Sequence, residues 1–478
     1  MEIHKAPWAP GGRQLTHSGH GSKDLQGKRF TVVTLGCAKN QVDSEGIERL
    51  LEDEGAERSD ADDADVVIVN TCGFIEAAKQ ESINTILELA QAKKPGQRLI
   101  AAGCLSERYG SELATEIHEL DAVWGARNWA SAPSVVARSL GSAWEPRQPG
   151  STLDLLEMAP SGALDLTMPR RVANGPSAYV KISDGCNQRC AFCAIPSMKG
   201  RLISKPVDLI IREVKELVDQ GVQECVLISQ DSTNYGHDLG LGREGLPELL
   251  ERITDAVPGL PWLRVMYAYP ARLTERLFTV MRDRPQICRY LDLPLQHTHQ
   301  DVLRRMRRPH RPTSELIEWM RSIVPDITLR TTFIVGFPGE TEEEFEHLRA
   351  SVATLSFDRV GAFTYSDEEG TPAFGLGEKV KSREKTRRKR LLMETARSAS
   401  HQRLETLVGA EIDVLVEGRG SLAGRPTLIG RSRRDAPEVD GLVFIEGAAE
   451  IGSMIRARVD RALDYDLVAS PHSIAVAS

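Results

Sequence analysis

Residues 178–193 read AYVKISDGCNQRCAFC, a short apolar strand followed at once by three cysteines. Cys186, Cys190 and Cys193 have the spacing Cys-x-x-x-Cys-x-x-Cys. A structural zinc site normally has four protein ligands, and this segment supplies three. Three thiolates on a four-iron, four-sulfur cluster leave one iron free to bind a small molecule. The triplet therefore favours an iron–sulfur site, and the alternative is a zinc site that a remote residue completes.

The chain around and after the triplet alternates strands with helices. Helical patterns separate AYVKIS from five further strand candidates, which are CVLIS, LRVMYA, LDLPLQ, TLRTTFIVG and RVGAFTY. Six such repeats over about 190 residues predict a parallel barrel that stops short of eight strands. The triplet follows the first strand, and the carboxyl ends of barrel strands are where barrel enzymes place their catalytic residues.

Three more cysteines lie upstream, each behind a short apolar run. Cys37 follows TVVTLG, Cys72 follows VVIVNT and Cys104 follows LIAAG, and a helical pattern comes after each. Alternating strands and helices predict an open parallel α/β sheet, whose strands end along one edge. We expect the three thiols to converge there despite their wide spacing. The alternative is three small core residues, since buried free cysteine is common. Cys225 and Cys288 have no partner at ligand spacing and are predicted to be core residues.

Weaker signals lie at other strand ends of the predicted barrel. Gln230 and Gln296 each follow a strand and either line a pocket or cap a loop. Gly336, Gly339 and Glu340 form a glycine-rich turn between a strand and a helix, which suits the close approach of a ligand. An ordinary strand-to-helix turn with acidic residues at the helix start explains the same residues.

The C-terminal part of the chain changes character twice. Residues 379–403 form a highly charged helical segment, which is either a phosphate-contacting stripe or a solvated helix between domains. After residue 407, short strands broken by glycine predict a small all-β barrel. Residues 411–466 contain eleven acids and eight arginines, a net charge of −3. That charge is poor for a phosphate-backbone binder and suits a basic protein target better.

Length and composition indicate a multidomain globular protein. The chain has 478 residues and a net charge of −8, with 41% hydrophobic residues. We predict a tail at 1–27, an α/β domain at 28–141, a linker at 142–175, the incomplete barrel at 176–405 and the small β-barrel at 406–472. No apolar run is long enough to span a membrane, and the N-terminus has no apolar signal segment. We therefore expect a cytoplasmic protein without membrane contact.

The string GCNQRCAFCAIPSMKG resembles the cluster-binding loop of radical S-adenosylmethionine enzymes. With the three upstream cysteines and the C-terminal β-module, the chain resembles a methylthiotransferase, a family built from a methylthiotransferase domain, a radical core and a TRAM domain. The RimO-type branch, which modifies an aspartate of ribosomal protein S-twelve, is the most similar. The strings that favour this branch are NTCGFIEAAKQESI, YVKISDGCNQRCAFCAIPSMKG, YLDLPLQHTH and GRSRRDAPEVDG. Ala38, Lys199, Arg433 and Arg434 depart from residues usual in the family.

The resemblance implies a ligand set and a chemistry. Cys186, Cys190 and Cys193 would hold the cluster that cleaves S-adenosylmethionine to a 5′-deoxyadenosyl radical. Cys37, Cys72 and Cys104 would hold a second four-iron, four-sulfur cluster that presents sulfur, and a second S-adenosylmethionine would give the methyl group. The 336–340 turn would contact the adenine side of the cofactor, and Gln230 and Gln296 would also lie near it.

The resemblance also implies partners. The protein substrate would be ribosomal protein S-twelve, methylthiolated at the β-carbon of an aspartate, and a flavodoxin- or ferredoxin-like protein would donate electrons to a monomeric enzyme. The TRAM domain would contact RNA or the ribosome. Two alternatives stay open from the sequence: an enzyme that methylthiolates a tRNA adenosine, and a zinc-stabilised RNA-binding protein without catalytic activity.

Overall fold

The computed structural model describes residues 25–141, the short strand Leu156–Glu157 and residues 173–471. Most of the predicted tail and linker lies outside the described residues. Within the described part, no helix is both long enough and apolar enough to cross a bilayer. Three units follow one another along the chain, and they correspond to the fold class predicted from the sequence.

The N-terminal unit is an all-parallel sheet with helices between its strands. Its strands are β1 Arg29–Thr34, β2 Glu57–Arg58, β3 Val66–Thr71, β4 Arg98–Gly103, β5 Ala122–Gly125 and β6 Leu156–Glu157. Its helices are α1 Ala38–Asp53, α2 Glu76–Ala92, α3 Cys104–Glu116 and α4 Ala132–Leu140. The strand order is β2-β1-β3-β4-β5-β6. Because β3 and β4 are central, both faces of these apolar strands are covered, and all six residues of β3 are buried. The segment predicted as a linker supplies the edge strand β6.

The central unit is the predicted incomplete barrel. Its six parallel strands, in the order found in the sheet, are β7 Ser177–Lys181, β10 Glu224–Ile228, β11 Trp262–Val265, β12 Ile287–Asp292, β13 Thr328–Val335 and β14 Arg359–Thr364. A two-stranded ribbon, β8 Ser183–Asp184 and β9 Ile203–Ser204, flanks the cysteine loop. The helices are α5 Ile195–Lys199, α6 Val207–Asp219, α7 Gly245–Ala256, α8 Glu275–Asp283, α9 Gln300–Arg305, α10 Thr313–Ile323, α11 Glu342–Thr354 and α12 Ser382–Glu405.

The C-terminal unit is the predicted small closed barrel. Its strands are β15 Glu411–Leu422, β16 Arg425–Ser432, β17 Val443–Ile445, β18 Met454–Ala462 and β19 Leu467–Pro471, closed in the order β15-β16-β17-β19-β18. The loop between β16 and β17 packs against the end of the central barrel at which the strands begin. Ala436 from this loop and Leu415 from β15 share one apolar cluster with Trp262 at the start of β11.

Buried ion pairs fix the C-terminal barrel to the central barrel. Arg431 donates to Glu224 at 2.6 Å and to Glu417 at 2.5 Å, and Arg264 donates to Glu224 at 2.7 Å. Burial acts to raise the pKa of Glu224, but Arg431 and Arg264 outweigh it and lower the pKa to about 2. Arg433 donates to two backbone carbonyls of the central barrel, those of residues 261 and 285. Arg431 at the end of β16 and Arg433 in the following loop therefore hold the two barrels together.

A second buried network fixes the N-terminal sheet to the central barrel. Asp43 in α1 accepts hydrogen bonds from Lys181 at the end of β7 and from Lys199 at the end of α5, the latter at 2.9 Å. Asp184 lies 3.1 Å from Lys181 and 3.7 Å from Lys199. Burial acts to raise the pKa of Asp184, but the two lysines hold it well below its usual range. We call these four residues the buried quartet.

Replacing Asp43 with Asn should destabilise the protein, because Lys181 and Lys199 would then share a single carboxylate. Removing one partner of a buried ion pair costs about 3–5 kcal/mol. Asp53→Asn on the same helix is the matched control, because Asp53 is exposed and pairs at the surface with Arg49. Surface pairs contribute about 0–1 kcal/mol. Denaturant unfolding followed by circular dichroism measures both, and equal midpoints for the two variants would contradict the prediction.

Candidate functional site

The six predicted ligand cysteines line one cavity of about 440 Å³. The cavity lies at the carboxyl ends of the central strands, where Asp231 follows β10, Tyr267 follows β11 and Tyr365 follows β14. The N-terminal sheet contributes Cys37, Cys72 and Cys104 to the same cavity. The two trios of thiols, although distant in sequence, therefore face one another across a shared space.

The upstream trio converges because two strand ends approach closely. Gly36 has φ +91°, and a Cβ on it would lie 2.7 Å from Cβ of Cys72 and 2.9 Å from its Sγ. Only glycine tolerates both that dihedral angle and that contact. Cys37 is the N-cap of α1 and Cys104 is the first residue of α3. Both cysteines thus lie where a strand gives way to a helix, and both line the cavity.

Two asparagines, which sequence reasoning did not single out, connect the three strand ends. Asn40 donates its side-chain amide to the backbone carbonyls of Leu35 at 3.0 Å and Thr71 at 2.9 Å, and its Oδ1 lies 3.8 Å from Sγ of Cys104. Asn70 returns a hydrogen bond to the carbonyl of Asn40 at 2.9 Å. The sequence carries no signal for them, because the need of a buried amide for partners becomes visible only once its burial is known.

The downstream trio is held by the loop between β8 and α5. The backbone N–H of Gln188 donates to Sγ of Cys186 at 3.4 Å, and the guanidinium of Arg308 donates to Sγ of Cys190 at 3.4 Å. Arg308 also donates to the carbonyl of Pro294 at 2.6 Å and stacks on the Tyr269 ring. Donors aimed at sulfur stabilise thiolates and tune iron–sulfur clusters.

The thiols fit the chemistry of a metal cluster. Burial raises the pKa of Cys104 and of Cys193 to about 12 and that of Cys186 to about 11, and it raises the pKa of Cys72 as well. The six thiols face one cavity in two trios, with sulfur-directed donors beside the downstream trio, and this arrangement suits a cation that displaces thiol protons. The donor set is therefore compatible with two clusters, each held by three cysteines.

The remaining predicted residues divide into two groups. Gln230 and Gln296 line the cavity. Gly336, Gly339 and Glu340 do not belong to its lining. The Glu340 carboxylate accepts from the backbone N–H of Gly336 at 2.8 Å and from Arg388 at 2.8 Å, so that it stabilises its own turn. A role of this turn in cofactor binding stays a prediction.

Cys225 and Cys288 are fully buried in the barrel, as predicted for core residues.

The charged helix α12 packs against α11 and β14, and several of its arginines form ion pairs with glutamates. Arg387 and Arg388 both bind Glu384 and Glu342. The helix therefore connects units of the fold, and the pairing reduces the positive charge that a phosphate stripe would need.

Comparison with known families covers all three units. Residues 29–125 match the uncharacterized protein family UPF0004, residues 180–352 match the radical SAM superfamily and residues 408–471 match the TRAM domain. Proteins named ribosomal protein uS12 methylthiotransferase RimO, from Herpetosiphon aurantiacus and Roseiflexus sp. (strain RS-1), are 46% and 47% identical to the chain. The alignments cover 92% of this chain and 99% and 96% of those proteins. The chain belongs to the RimO family.

Solved structures support the fold assignment. The radical S-adenosylmethionine methyltransferase TsrM from Kitasatospora setae, determined with cobalamin and a four-iron, four-sulfur cluster, matches with a TM-score of 0.53 at 16% identity over 73% of this chain and 77% of that chain. The same protein with tryptophan and a cofactor analogue gives a TM-score of 0.51 over 70% and 72%. As a member of the radical SAM superfamily, this RimO-family chain uses S-adenosylmethionine and a four-iron, four-sulfur cluster.

Cluster assembly should become more favourable as the pH rises. The raised pKa values keep the thiols of Cys104, Cys186 and Cys193 neutral at pH 7, and each thiol that becomes a ligand must release its proton. Below its pKa, the thiolate fraction of each cysteine rises about tenfold per pH unit. Anaerobic reconstitution with ferrous iron and sulfide, challenged with a chelator between about pH 6.5 and 8.5, measures iron retention. Retention independent of pH would contradict this expectation.

Proposed function

We propose that this chain transfers a methylthio group to the β-carbon of an aspartate in ribosomal protein S-twelve. The observation that carries the proposal is the pair of cysteine trios that face one cavity, in a chain 46–47% identical to RimO proteins. Three protein ligands on each cluster leave one iron of each cluster for an exchangeable group. Two such sites in one cavity suit a reaction in which a radical and a sulfur atom must meet.

The two trios have different tasks in this proposal. Cys186, Cys190 and Cys193 would hold a cluster that, with S-adenosylmethionine, would supply a carbon radical able to take hydrogen from an unactivated C–H bond, a chemistry that a cofactor must supply. Cys37, Cys72 and Cys104 would hold a second four-iron, four-sulfur cluster, which would supply a site for the sulfur that is transferred. A second S-adenosylmethionine provides the methyl group, and a flavodoxin- or ferredoxin-like donor provides electrons to the monomeric enzyme.

Protein residues position these groups and exclude water. Arg308 donates to the Cys190 thiol and is itself buried, so that its positive charge lies beside the downstream trio and is shielded from water. Asn40 connects the strand ends that carry the upstream trio. The ion pairs of the buried quartet fix the distance between the two trios. A fixed distance suits the reaction, since a carbon radical must meet its sulfur donor before a side reaction intervenes.

A protein target fits the TRAM domain better than a nucleic acid. The net charge of −3 over residues 411–466 repels phosphates and attracts a basic ribosomal protein. Arg431, Arg433 and Arg434 contact the central barrel, Arg434 through Asp358. These arginines therefore stabilise the domain interface, and any contact with RNA would depend on the other arginines of the domain.

A paired substrate assay tests the proposal. The reconstituted enzyme, with S-adenosylmethionine and a reductant, is incubated separately with ribosomal protein S-twelve and with tRNA. Mass spectrometry should show a methylthio gain on an aspartate of the protein and no gain on the RNA. A gain on tRNA alone would reverse the choice of substrate.

Anaerobic metal analysis of the same enzyme should give about eight irons per chain, the sum of two four-iron clusters. A preparation that contains zinc alone would contradict the proposal that the chain is a radical enzyme.

Replacing Cys72 with Ala should separate the two halves of the reaction. The variant lacks one ligand of the upstream trio and keeps the downstream trio, so that it should still cleave S-adenosylmethionine and should form no methylthiolated product. Chromatography of 5′-deoxyadenosine and mass spectrometry of the protein substrate measure the two steps. Cys225→Ala, at a buried cysteine outside the cavity, is the matched control and should keep both activities. Loss of cleavage in Cys72→Ala with an intact fold would contradict the division of tasks.

A further inference from the structure

Lys39 is a buried cation in the catalytic cavity that the proposed chemistry does not use. It is the second residue of α1, next but one to Cys37, and it lines the cavity with only 8% of its surface exposed. Its ammonium lies 2.9 Å from the centroid of the Tyr267 ring. Burying a charge is costly unless a partner compensates it, so the placement of this cation calls for an explanation.

The other cations of the cavity have acceptors within the protein. Four lysine and arginine side chains line it among the described residues. Lys199 binds Asp43 at 2.9 Å, Arg330 binds Asp292 at 2.6 Å and Arg308 donates to a backbone carbonyl at 2.6 Å. For Lys39, the described part of the chain offers the Tyr267 ring and no hydrogen bond or ion pair. An aromatic face holds a cation in place and leaves its N–H donors available to an anion.

The position of the Tyr267 ring depends on an unusual backbone. Tyr267 has φ +63°, a left-handed conformation that is rare for a bulky residue. The conformation is held by hydrogen bonds on both sides: the N–H of Tyr267 donates to Asp292 at 3.1 Å, and its carbonyl accepts from the N–H of Ser232 at 2.9 Å. Strain of this kind persists at sites where it serves function. Here it places the ring beneath the Lys39 ammonium.

We propose that Lys39 binds the side-chain carboxylate of the substrate aspartate and so determines the substrate specificity of the cavity. This inference rests on the proposed function. The β-carbon of an aspartate is two bonds from each carboxylate oxygen, so that an ion pair with Lys39 fixes the reacting carbon beside the Cys37 trio. A nucleic-acid base has no carboxylate and cannot form this pair. Lys39 is therefore a specificity-determining residue that also orients the target carbon.

The test compares two peptides on three enzymes. The peptides carry the S-twelve segment with its target aspartate or with asparagine in its place, and the enzymes are the wild type, Lys39→Met and Lys39→Arg. Equilibrium binding to the reconstituted enzymes, measured by fluorescence anisotropy, needs no turnover. A charge-assisted hydrogen bond is lost with the asparagine peptide, so the wild type should bind it about 10- to 100-fold more weakly. Lys39→Met should bind both peptides within about threefold, and Lys39→Arg should restore the preference.

Controls separate recognition from damage to the site. Iron content and the visible absorption of the clusters should match the wild type in each variant, and Lys39→Gln replaces Lys39→Met in the comparison if the latter loses iron. Lys215→Met, at an exposed lysine of α6, should keep the full preference for the aspartate peptide. With saturating S-adenosylmethionine, Lys39→Met should raise KM for the aspartate peptide at least tenfold. With saturating peptide, it should leave KM for S-adenosylmethionine unchanged.

The outcomes distinguish this inference from the proposed function. If the wild type does not methylthiolate the aspartate peptide or the whole protein, the proposed function fails and the role of Lys39 fails with it. If the wild type reacts and Lys39→Met keeps the same preference for aspartate over asparagine, the inference alone is overturned. An unchanged peptide preference together with a raised KM for S-adenosylmethionine would also overturn it, and would place Lys39 at the cofactor.

Discussion

The buried quartet is the constraint on which the geometry of the site depends. Asp43 lies on the helix that Cys37 caps, and Lys181, Asp184 and Lys199 flank the loop that carries Cys186. The quartet has two positive and two negative charges, all nearly inaccessible to water. These groups tolerate very little displacement, because any separation leaves a buried charge unpaired. The ionic network therefore fixes the position of one thiol trio relative to the other.

The C-terminal barrel solves a different problem, which arises from the incomplete barrel itself. Six strands do not close, so that the interior needs side chains from outside. Leu415 and Ala436 enter from the end at which the strands begin, and Val42 of α1 belongs to the same apolar cluster. The ion pairs of Arg431 and Arg264 with Glu224 hold the C-terminal barrel in this position. The opposite end of the barrel, at which the cavity lies, is left for substrate and cofactor.

The sequence allowed most of the fold and the convergence of the cysteines to be predicted, because both depend on local patterns. Short apolar runs that end in cysteine identify β3 and β4, and the order of strands and helices implies one common edge. The buried quartet could not be predicted, because its members lie up to 156 residues apart and their pairing depends on how two domains dock. Asn40 was missed because its acceptors, the carbonyls of Leu35 and Thr71, come together only when β1 and β3 pair in the folded sheet. Most of the segment predicted as a linker is not described, and two of its described residues form β6.

The positively charged side chains of the cavity differ in whether a protein acceptor already binds them. Lys199 neutralises Asp43 and Arg330 neutralises Asp292, so these cations are engaged before any substrate arrives. Arg308 has no carboxylate partner, but it donates to the Pro294 carbonyl and to Sγ of Cys190. Lys39 is held by the Tyr267 ring, and its ammonium makes no hydrogen bond or ion pair with a described residue. A cavity that must accept an acidic side chain needs one such cation, and it needs the others to be paired, because several free cations would bind the carboxylate in more than one position. Selective pairing thus makes a cavity with four cations specific for one orientation of an aspartate.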